Sequence, residues 1–332
     1  MPGGYSARFW RLHAQPALEE EADELLRRTP LRNLTKLDLS DSLRLTFAFL
    51  LLQPGGDTLP RRPIITLTTD FGLNDHFVGV IKGVILGINP DVEIVDLCHQ
   101  VSAYDVFDGA FMLAQSYRFF PPDTIHVVIV DPGVGTARRP ILARTIECKF
   151  VAPDNGVLSL VYEREENIEV RHITADHYFL NPVSNTFHGR DVFAPVAGWL
   201  SKWVEADKFG EPITDYVKFT APKPKRVSEG FVKGVILRVD RFGNLVTNIT
   251  AEDIPEIFSP APPACKIIVG NLEITNLNLA YTPGKPNEVF AVVGSSGFLE
   301  IATSRGSAAK ILNVGRGAEV GVTWGKPAEP GG

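Results

Sequence analysis

The sequence is poor in cysteine and has no long apolar run. Its 332 residues include three cysteines, Cys98, Cys148 and Cys265, which are far apart and form no CxxC pair. This number and spacing do not suit a disulfide framework, and we expect a cytoplasmic protein from a reducing compartment. The nearly apolar stretch Leu45 to Leu52 is much shorter than the roughly 20 residues of a membrane-spanning helix. It also lacks the basic start and cleavage site of a signal peptide, so no membrane partner is expected.

The chain also has no excess of positive charge, and it lacks several common catalytic motifs. The chain has 39 acidic and 33 basic residues, a net charge of −6, and so lacks the positive field that non-specific nucleic-acid binding needs. It contains no GxxxxGK phosphate loop, no GxSxG nucleophile elbow and no HExxH zinc motif. The stretch from Gly133 starts like a dinucleotide fingerprint, but Arg138 replaces the third glycine and an extended segment follows. Binding to nucleic acid is therefore disfavoured. The same holds for a phosphate-loop ATPase, a dinucleotide-binding enzyme, and the commonest kinds of serine hydrolase and zinc protease.

The remaining patterns divide the chain into three parts. Residues 1–62 read as an N-terminal extension, in which Ala17 to Arg28 is predicted to form a surface helix. Residues 63–222 alternate strand-like and helix-like patterns in the order βαβαβ, which predicts a Rossmann-like α/β domain with a parallel sheet. Residues 227–326 contain short apolar strands and glycine turns without a convincing helix, which predicts a small antiparallel β-barrel. The expected fold is thus α/β, with the sheet domain followed by the barrel.

Two aspartates follow strands of the predicted parallel sheet. Asp70 ends PIITLTTD and Asp131 ends TIHVVIVD. Ligands of open α/β sheets bind beyond the carboxyl ends of the strands, so both are candidate functional residues. Each alone is equally well explained as a turn or helix cap. His188, in NTFHGRD, is a further candidate, although a lone histidine is more often structural.

Two turns of the barrel region also carry polar groups. Asp240 begins DRFGN, which is a plain hairpin turn or, with Phe242 and Asn244, a surface for stacking and hydrogen bonding to a planar heterocycle. The turn GSSG at 294–297 has two hydroxyls and backbone amides that suit a carboxylate or an amine. A metal-dependent hydrolase is a competing interpretation, because hard ligands would converge if the fold gathered Asp70, Asp75, His76, Asp131, His188 and Asp191.

Six ordered segments together resemble one known family. They are TTDFGLNDHFVGVIKGVI, VDPGVGTARR, APDNGVL, NTFHGRD, VDRFGN and GSSGFLEIA, spread between about Pro63 and Trp324. This set resembles the S-adenosyl-L-methionine (SAM) hydroxide adenosyltransferases, relatives of the fluorinating and chlorinating SAM enzymes. Residues 1–62 lie outside the resemblance.

The resemblance implies hydrolysis of SAM by water, attacking C5′ in line, to give adenosine and L-methionine. It implies a homotrimer with SAM bound between the α/β domain of one subunit and the barrel of the next, and neither a cofactor nor a metal. The residues that match the water-activating set are Asp131, Arg138 and His188. Those that match substrate contacts are Asp70 for the ribose hydroxyls, Tyr104 beside the nucleoside, Phe242 and Asn244 for adenine, and Asp240 and Ser295 for the methionine amine and carboxylate.

Two differences favour a hydrolase over a halogenase. The halogenating relatives carry tyrosine where Asp131 stands here, and an aspartate repels a halide. The fluorinases also insert a loop where residues 145–149 connect directly to the next strand. A SAM-dependent halogenase and a non-catalytic SAM- or adenosine-binding protein remain alternatives. Ser296 stands where some halogenating relatives hold the methionine carboxylate with an arginine, so the contacts to that carboxylate stay open.

Overall fold

The computed structural model describes residues 62–259, 262–281 and 285–325. The chain divides between Phe219 and Thr220 into two compact units, called here the α/β unit (62–219) and the β unit (220–325). The predicted helix from Ala17 to Arg28 lies outside the described residues. In the portion of the chain just defined, no helix is both long and apolar enough to cross a membrane.

The α/β unit is built on one mixed sheet of seven strands. In the order β2-β1-β3-β5-β4-β6-β7, the first four strands are parallel, and each later neighbour pair is antiparallel. The β-branched residues of the first strand suit this buried position, since pleated strands pack such side chains well. The strands are β1 (Ile64–Thr69), β2 (Glu93–Cys98), β3 (Ile125–Ile129), β4 (Pro140–Arg144), β5 (Lys149–Pro153), β6 (Glu169–His172) and β7 (Pro212–Ile213).

Helices cover both faces of this sheet. Helix α1 (Phe77–Ile88) connects β1 to β2, and α2 (Val106–Ser116) connects β2 to β3. A short α3 (Ser159–Tyr162) follows β5, and a π-helix (Gly189–Phe193) continues directly into α4 (Ala194–Ser201). Successive side chains of β3 enter different cores: one includes α1 and α4, and the other includes α2. The π-helix thus begins at the residue after His188, which positions that histidine beside the sheet.

The β unit is one curled sheet of nine strands. The order is β12-β11-β16-β9-β10-β15-β14-β13, with β8 paired to β9. Because β13 begins three residues after β12 ends and pairs with β14, the sheet turns back on itself into a nearly closed barrel. The strands are β8 (Lys225–Ser228), β9 (Phe231–Val239), β10 (Leu245–Thr250), β11 (Cys265–Val269), β12 (Leu272–Ile274), β13 (Leu277–Asn278), β14 (Val289–Val293), β15 (Phe298–Thr303) and β16 (Glu319–Trp324).

The fold agrees with the expected α/β class, with two sheets, and differs in detail. The α/β sheet is mixed, because the hairpin of β4 and β5 and the return strand β6 add antiparallel pairs. Among its described residues, the β unit contains a short α-helix that the sequence analysis missed, α5 (Ala308–Leu312). Ser307 caps it by accepting a hydrogen bond from the Lys310 N–H at 3.2 Å. Five residues are too few to show a helical period, which explains the omission.

Candidate active site

Asp70 and Asp131 lie at the same edge of the mixed sheet. Strands β1 and β3 are parallel neighbours, and Thr69 at the end of β1 is paired with Ile129 at the end of β3. Each aspartate follows its strand within two residues, so both side chains lie beyond the carboxyl ends. The expected placement at this edge is therefore present.

Asp131, Arg138 and His188 form one contiguous group. The Arg138 Nε donates to both carboxylate oxygens of Asp131, at 2.9 and 3.0 Å, and Arg138 Nη2 also donates to Asp131 Oδ2. The same Nη2 lies 2.9 Å from His188 Nδ1. The Asp131 and Arg138 side chains are 5% and 8% exposed, so the ion pair is largely desolvated. Arg138 thereby connects a carboxylate and an imidazole that are 57 residues apart in the chain.

The partners fix the proton positions on His188. A guanidinium has donors and no acceptor, so His188 Nδ1 accepts the hydrogen bond and a neutral ring carries its proton on Nε2. Burial and the Arg138 charge lower the pKa of His188 below its ordinary value of 6.5, which favours this neutral ring. The site thus offers one anionic acceptor, Asp131, and one neutral donor, His188 Nε2.

A ring contact helps to hold Arg138 in place. Its guanidinium carbon lies 5.1 Å from the centre of the Phe193 ring, a cation–π distance. Among the residues that the structure describes, its buried Nη1 has no hydrogen-bond partner. Since an unpaired buried donor of a charged group is costly, this nitrogen is suited to a ligand or water oxygen.

The loop after β3 approaches the loop before His188 very closely. Gly135 has φ +78°, and a Cβ at this position would lie 2.1 Å from the carbonyl oxygen of Asn185. A side chain is therefore excluded on both steric and conformational grounds. This contact brings the segment from Asp131 to Arg138 next to the segment that carries His188.

A cavity of about 130 Å³ lies at this group, and Asp131 and His188 are among its lining residues. Much of the remaining wall is apolar, and three phenylalanines, Phe71, Phe77 and Phe187, contribute to it. The rings of Phe77 and Phe187 meet edge to face with centroids 5.3 Å apart. A charged group and an apolar wall in one small cavity give a low-polarity setting in which electrostatic interactions are strengthened.

Asp70 and Tyr104 also meet. The backbone N–H of Tyr104 donates to Asp70 Oδ2 at 2.9 Å. Tyr104 has φ +64°, uncommon for a residue with a side chain, and its side chain is 74% exposed. The Asp70 carboxylate is therefore bonded through Oδ2 to the backbone of a residue whose aromatic side chain is exposed.

In the β unit, the predicted residues of DRFGN form one tight turn between β9 and β10. Asp240 Oδ1 accepts from the backbone N–H groups of Phe242 and Asn244, at 2.9 and 2.8 Å, and Oδ2 accepts from the Asn244 amide at 2.9 Å. Phe242 is 76% exposed, whereas Asn244 is buried. The turn thus presents an aromatic face to its surroundings and holds its amide inward.

Family models match both units of the chain. Residues 65–210 match the SAM hydroxide adenosyltransferase N-terminal domain, and residues 234–321 match the corresponding C-terminal domain. The chain belongs to the SAM hydroxide adenosyltransferase family. The resemblance drawn from the six sequence segments is thereby confirmed.

Several relatives of this family member are named (R)-S-adenosyl-L-methionine hydrolase. The protein of that name from Methanocaldococcus jannaschii is 33% identical over 76% of this chain and 92% of its own length. The one from Salinispora tropica is 34% identical over 79% of this chain and 98% of its own length. A fluorinase from Actinoplanes is more distant, at 28% identity over 79% of this chain.

A solved structure shares the fold as well. An uncharacterised conserved protein from Thermotoga maritima superposes with a TM-score of 0.73 and 37% identity, covering 78% of this chain and 99% of its own. The family fold therefore extends over most of this adenosyltransferase-family chain.

One buried acid of the adenosyltransferase-family β unit was missed by the sequence analysis. Glu300 of β15 accepts a hydrogen bond from the Tyr281 hydroxyl, and burial, with the nearby Asp240 charge, raises its pKa. It also packs under the predicted Ser295 turn, because a Cβ on Gly294 would lie 1.9 Å from Glu300 Oε1. Its signal in the sequence was a single charged residue inside the apolar run FLEIAT.

The six residues of the metal hypothesis are not brought together as a ligand set. Across residues 62–259, 262–281 and 285–325, no group of three histidine, cysteine or acidic side chains is arranged to hold a metal. Asp191 instead is fully buried and accepts from the Ser184 N–H at 2.8 Å and from Arg190 Nε at 2.6 Å. Its contacts hold the His188 loop against the π-helix.

A second cavity, of about 640 Å³, lies elsewhere on the α/β unit. Its lining includes Arg144, which ends β4, and Lys149, which begins β5, at the edge opposite to Asp131. None of the predicted site residues lines it. Its size alone therefore does not make it the candidate active site.

Proposed function

We propose that this protein hydrolyses SAM to adenosine and L-methionine, by in-line attack of an activated water on C5′. The observation that carries the proposal is the group of Asp131, Arg138 and His188 beside a small cavity. The names of its relatives supply the substrate. The parallel strands β2, β1, β3 and β5, which we propose to be a Rossmann-like core, have their carboxyl ends at this group.

The difficult part of this reaction is the activation of water as the nucleophile. The sulfonium of SAM makes methionine a neutral leaving group, so no acid is needed to protonate it. Water, however, has a pKa near 15.7. The site must therefore orient a water towards C5′ and stabilise hydroxide character as the C–O bond forms.

The hydrogen-bond directions support one proposed role for each residue. Asp131 Oδ1 accepts one bond from Arg138 and keeps a lone pair, so it can accept the proton that the water loses. Arg138 places a fixed positive charge beside the developing hydroxide, and its buried Nη1 has no hydrogen-bond partner within the described part of the chain. His188 donates from Nε2 and orients the water, because its Nδ1 already accepts from Arg138.

The substrate contacts follow the matched motifs. Asp70 would bind the ribose hydroxyls through its carboxylate, and Tyr104 would stack beside the nucleoside. Phe242 and Asn244 would contact adenine, and Asp240 and Ser295 would bind the methionine amine and carboxylate. We propose a homotrimer that brings these two groups of residues together from neighbouring subunits, and no cofactor.

A product assay tests this function. The protein is incubated with SAM in the presence and absence of chloride and fluoride, and also after treatment with a metal chelator. Adenosine, methionine and any 5′-halogenated nucleoside are measured. We expect adenosine and methionine in equal amounts with no halogenated product. SAM binding without products would indicate a non-catalytic binding protein, a halogenated nucleoside would indicate a halogenase, and loss of turnover after chelation would support a metal hydrolase.

A further inference from the structure

The loops after β1 and β2 are joined around His99, the residue that follows β2. The backbone carbonyl of His99 accepts from the Gly72 N–H at 2.7 Å, and its ring Nδ1 lies 2.9 Å from Thr69 Oγ1. Thr69 Oγ1 in turn accepts from the Phe71 N–H at 3.3 Å. His99 therefore contacts the Thr69 side chain before Asp70 and the Gly72 backbone after it.

The other ring nitrogen of His99 faces an acid. His99 Nε2 lies 3.0 Å from Asp96 Oδ1, within ion-pair distance, and Lys82 donates to Asp96 Oδ2 at 2.6 Å. Burial opposes the charged form of Asp96, but the bonds from Lys82 and His99 outweigh it and lower the pKa of Asp96. The carboxylate favours a proton on Nε2, which leaves Nδ1 to accept from the Thr69 hydroxyl.

These contacts form a directed chain from the surface to the Asp70 loop. The Lys82 and Asp96 side chains are 32% and 42% exposed, whereas the His99 side chain is 3% exposed. The chain ends at Phe71, the residue after Asp70, and Asp70 itself is bonded to the Tyr104 N–H. One side chain thus fixes the place of the carboxylate relative to both loops.

We propose that His99 is a positioning residue for the nucleoside, which holds Asp70 in place for the ribose hydroxyls through Thr69. This inference rests on the proposed function, because that function assigns the ribose contact to Asp70. Binding to the ribose is shared by the ground state and the transition state, so a loosened Asp70 raises KM more than it lowers kcat.

Two substitutions at His99 distinguish the contact of Nδ1 with Thr69 from the contact of Nε2 with Asp96. His99→Asn places an amide oxygen near the position of Nδ1 and keeps an acceptor for Thr69, whereas His99→Gln reaches towards Asp96 and loses that acceptor. We expect His99→Asn to keep KM for SAM within about twofold of the wild type. His99→Gln should raise KM about tenfold, the worth of roughly one net hydrogen bond. Thr69→Ser and Thr69→Val repeat the contrast from the other side of the bond.

Binding of unreactive ligands tests the ribose directly. Adenosine and 2′,3′-dideoxyadenosine are titrated calorimetrically against the wild type and each variant, and thermal melting confirms that each is folded. His99→Gln should weaken adenosine binding about tenfold and leave the dideoxy compound unchanged, because that compound lacks the hydroxyls.

Equal effects of the Asn and Gln variants, equal losses for both nucleosides, or no preference of the wild type for adenosine would overturn the role of His99. The proposed hydrolysis fails on a different result, which is absence of adenosine release from SAM by the wild type. The titrations decide on His99 in either case.

Discussion

Asp131 in the α/β unit and Asp240 in the β unit both follow a strand, and each accepts three hydrogen bonds, but from very different donors. All three hydrogen bonds to Asp131 come from two nitrogens, Nε and Nη2, of the guanidinium of Arg138, a charged side chain in a nearly buried ion pair. The donors to Asp240 are neutral N–H groups of its own turn.

The difference separates a carboxylate placed to accept a proton from one that is held rigidly by its own turn. Asp131 carries a charge that is compensated by a cation and retains an oxygen lone pair beside a cavity. Asp240 accepts hydrogen bonds from the backbone of its own turn, and these bonds fix the turn that presents Phe242. A similar place after a strand therefore does not imply a similar chemical task.

The largest expected effect is loss of turnover on Asp131→Asn. The amide keeps the shape and can still accept from Arg138, but it cannot take a proton from water. We expect the rate of adenosine formation to fall by about 10²–10⁴-fold, the usual contribution of a general base, with the Kd for SAM nearly unchanged. Steady-state product assays and equilibrium binding measure the two quantities. The matched Asp240→Asn variant should affect KM more than kcat. A loss of kcat as large as that of Asp131→Asn would show that the two carboxylates do not differ in their roles.

Arg138→Met should strongly lower the free energy of unfolding. It leaves the Asp131 carboxylate, whose side chain is 5% exposed, without its cation, and breaking a buried pair in this way costs about 3–5 kcal/mol. Denaturant unfolding measures the change. Lys266→Met, in a pair whose side chains are 54% and 57% exposed, is the control and should change stability by less than about 1 kcal/mol.

Two further variants sharpen this result. The double variant Asp131→Asn with Arg138→Met should recover part of the lost stability, because no uncompensated charge remains. Asp240→Ala, which removes neutral bonds within a turn, should cost roughly 1–2 kcal/mol. If Asp240→Ala lowered the free energy of unfolding as much as Arg138→Met, the buried ion pair would contribute no more to stability than the neutral hydrogen bonds of the turn.

The smallest expected effect is a pH dependence from His188. Because its pKa is lowered in the folded protein, the neutral ring persists somewhat below pH 6.5, and protonation follows at lower pH. A protonated ring cannot accept from Arg138, so kcat/KM should fall as the pH drops through this lowered pKa. A pH–rate profile from pH 5 to 8 measures the decline. His188→Asn, which retains an acceptor but does not titrate, should remove this acidic limb; persistence of the limb would assign it to another group.

The sequence predicted the parts that depend on local patterns. The βαβαβ order, the strand ends with Asp70 and Asp131, and the DRFGN turn all follow from spacing within a few residues. The ion pair of Arg138 with Asp131 spans seven residues, and its contact with His188 spans fifty, so family resemblance rather than local pattern pointed to that group. The pairing of Glu300 with Tyr281 and the central place of His99 also depend on tertiary contacts that no local rule contains.

The arrangement of this site depends on the lack of a side chain at Gly135. No attractive contact of its own is needed there; the absence of a single methyl group lets the loop of Asp131 and Arg138 rest on the carbonyl of Asn185. In a saturation library, this position would behave like a catalytic residue although it has no chemistry to perform. Tolerance to substitution near this centre thus reports on the closeness of two backbones, as well as on the identity of the reacting groups.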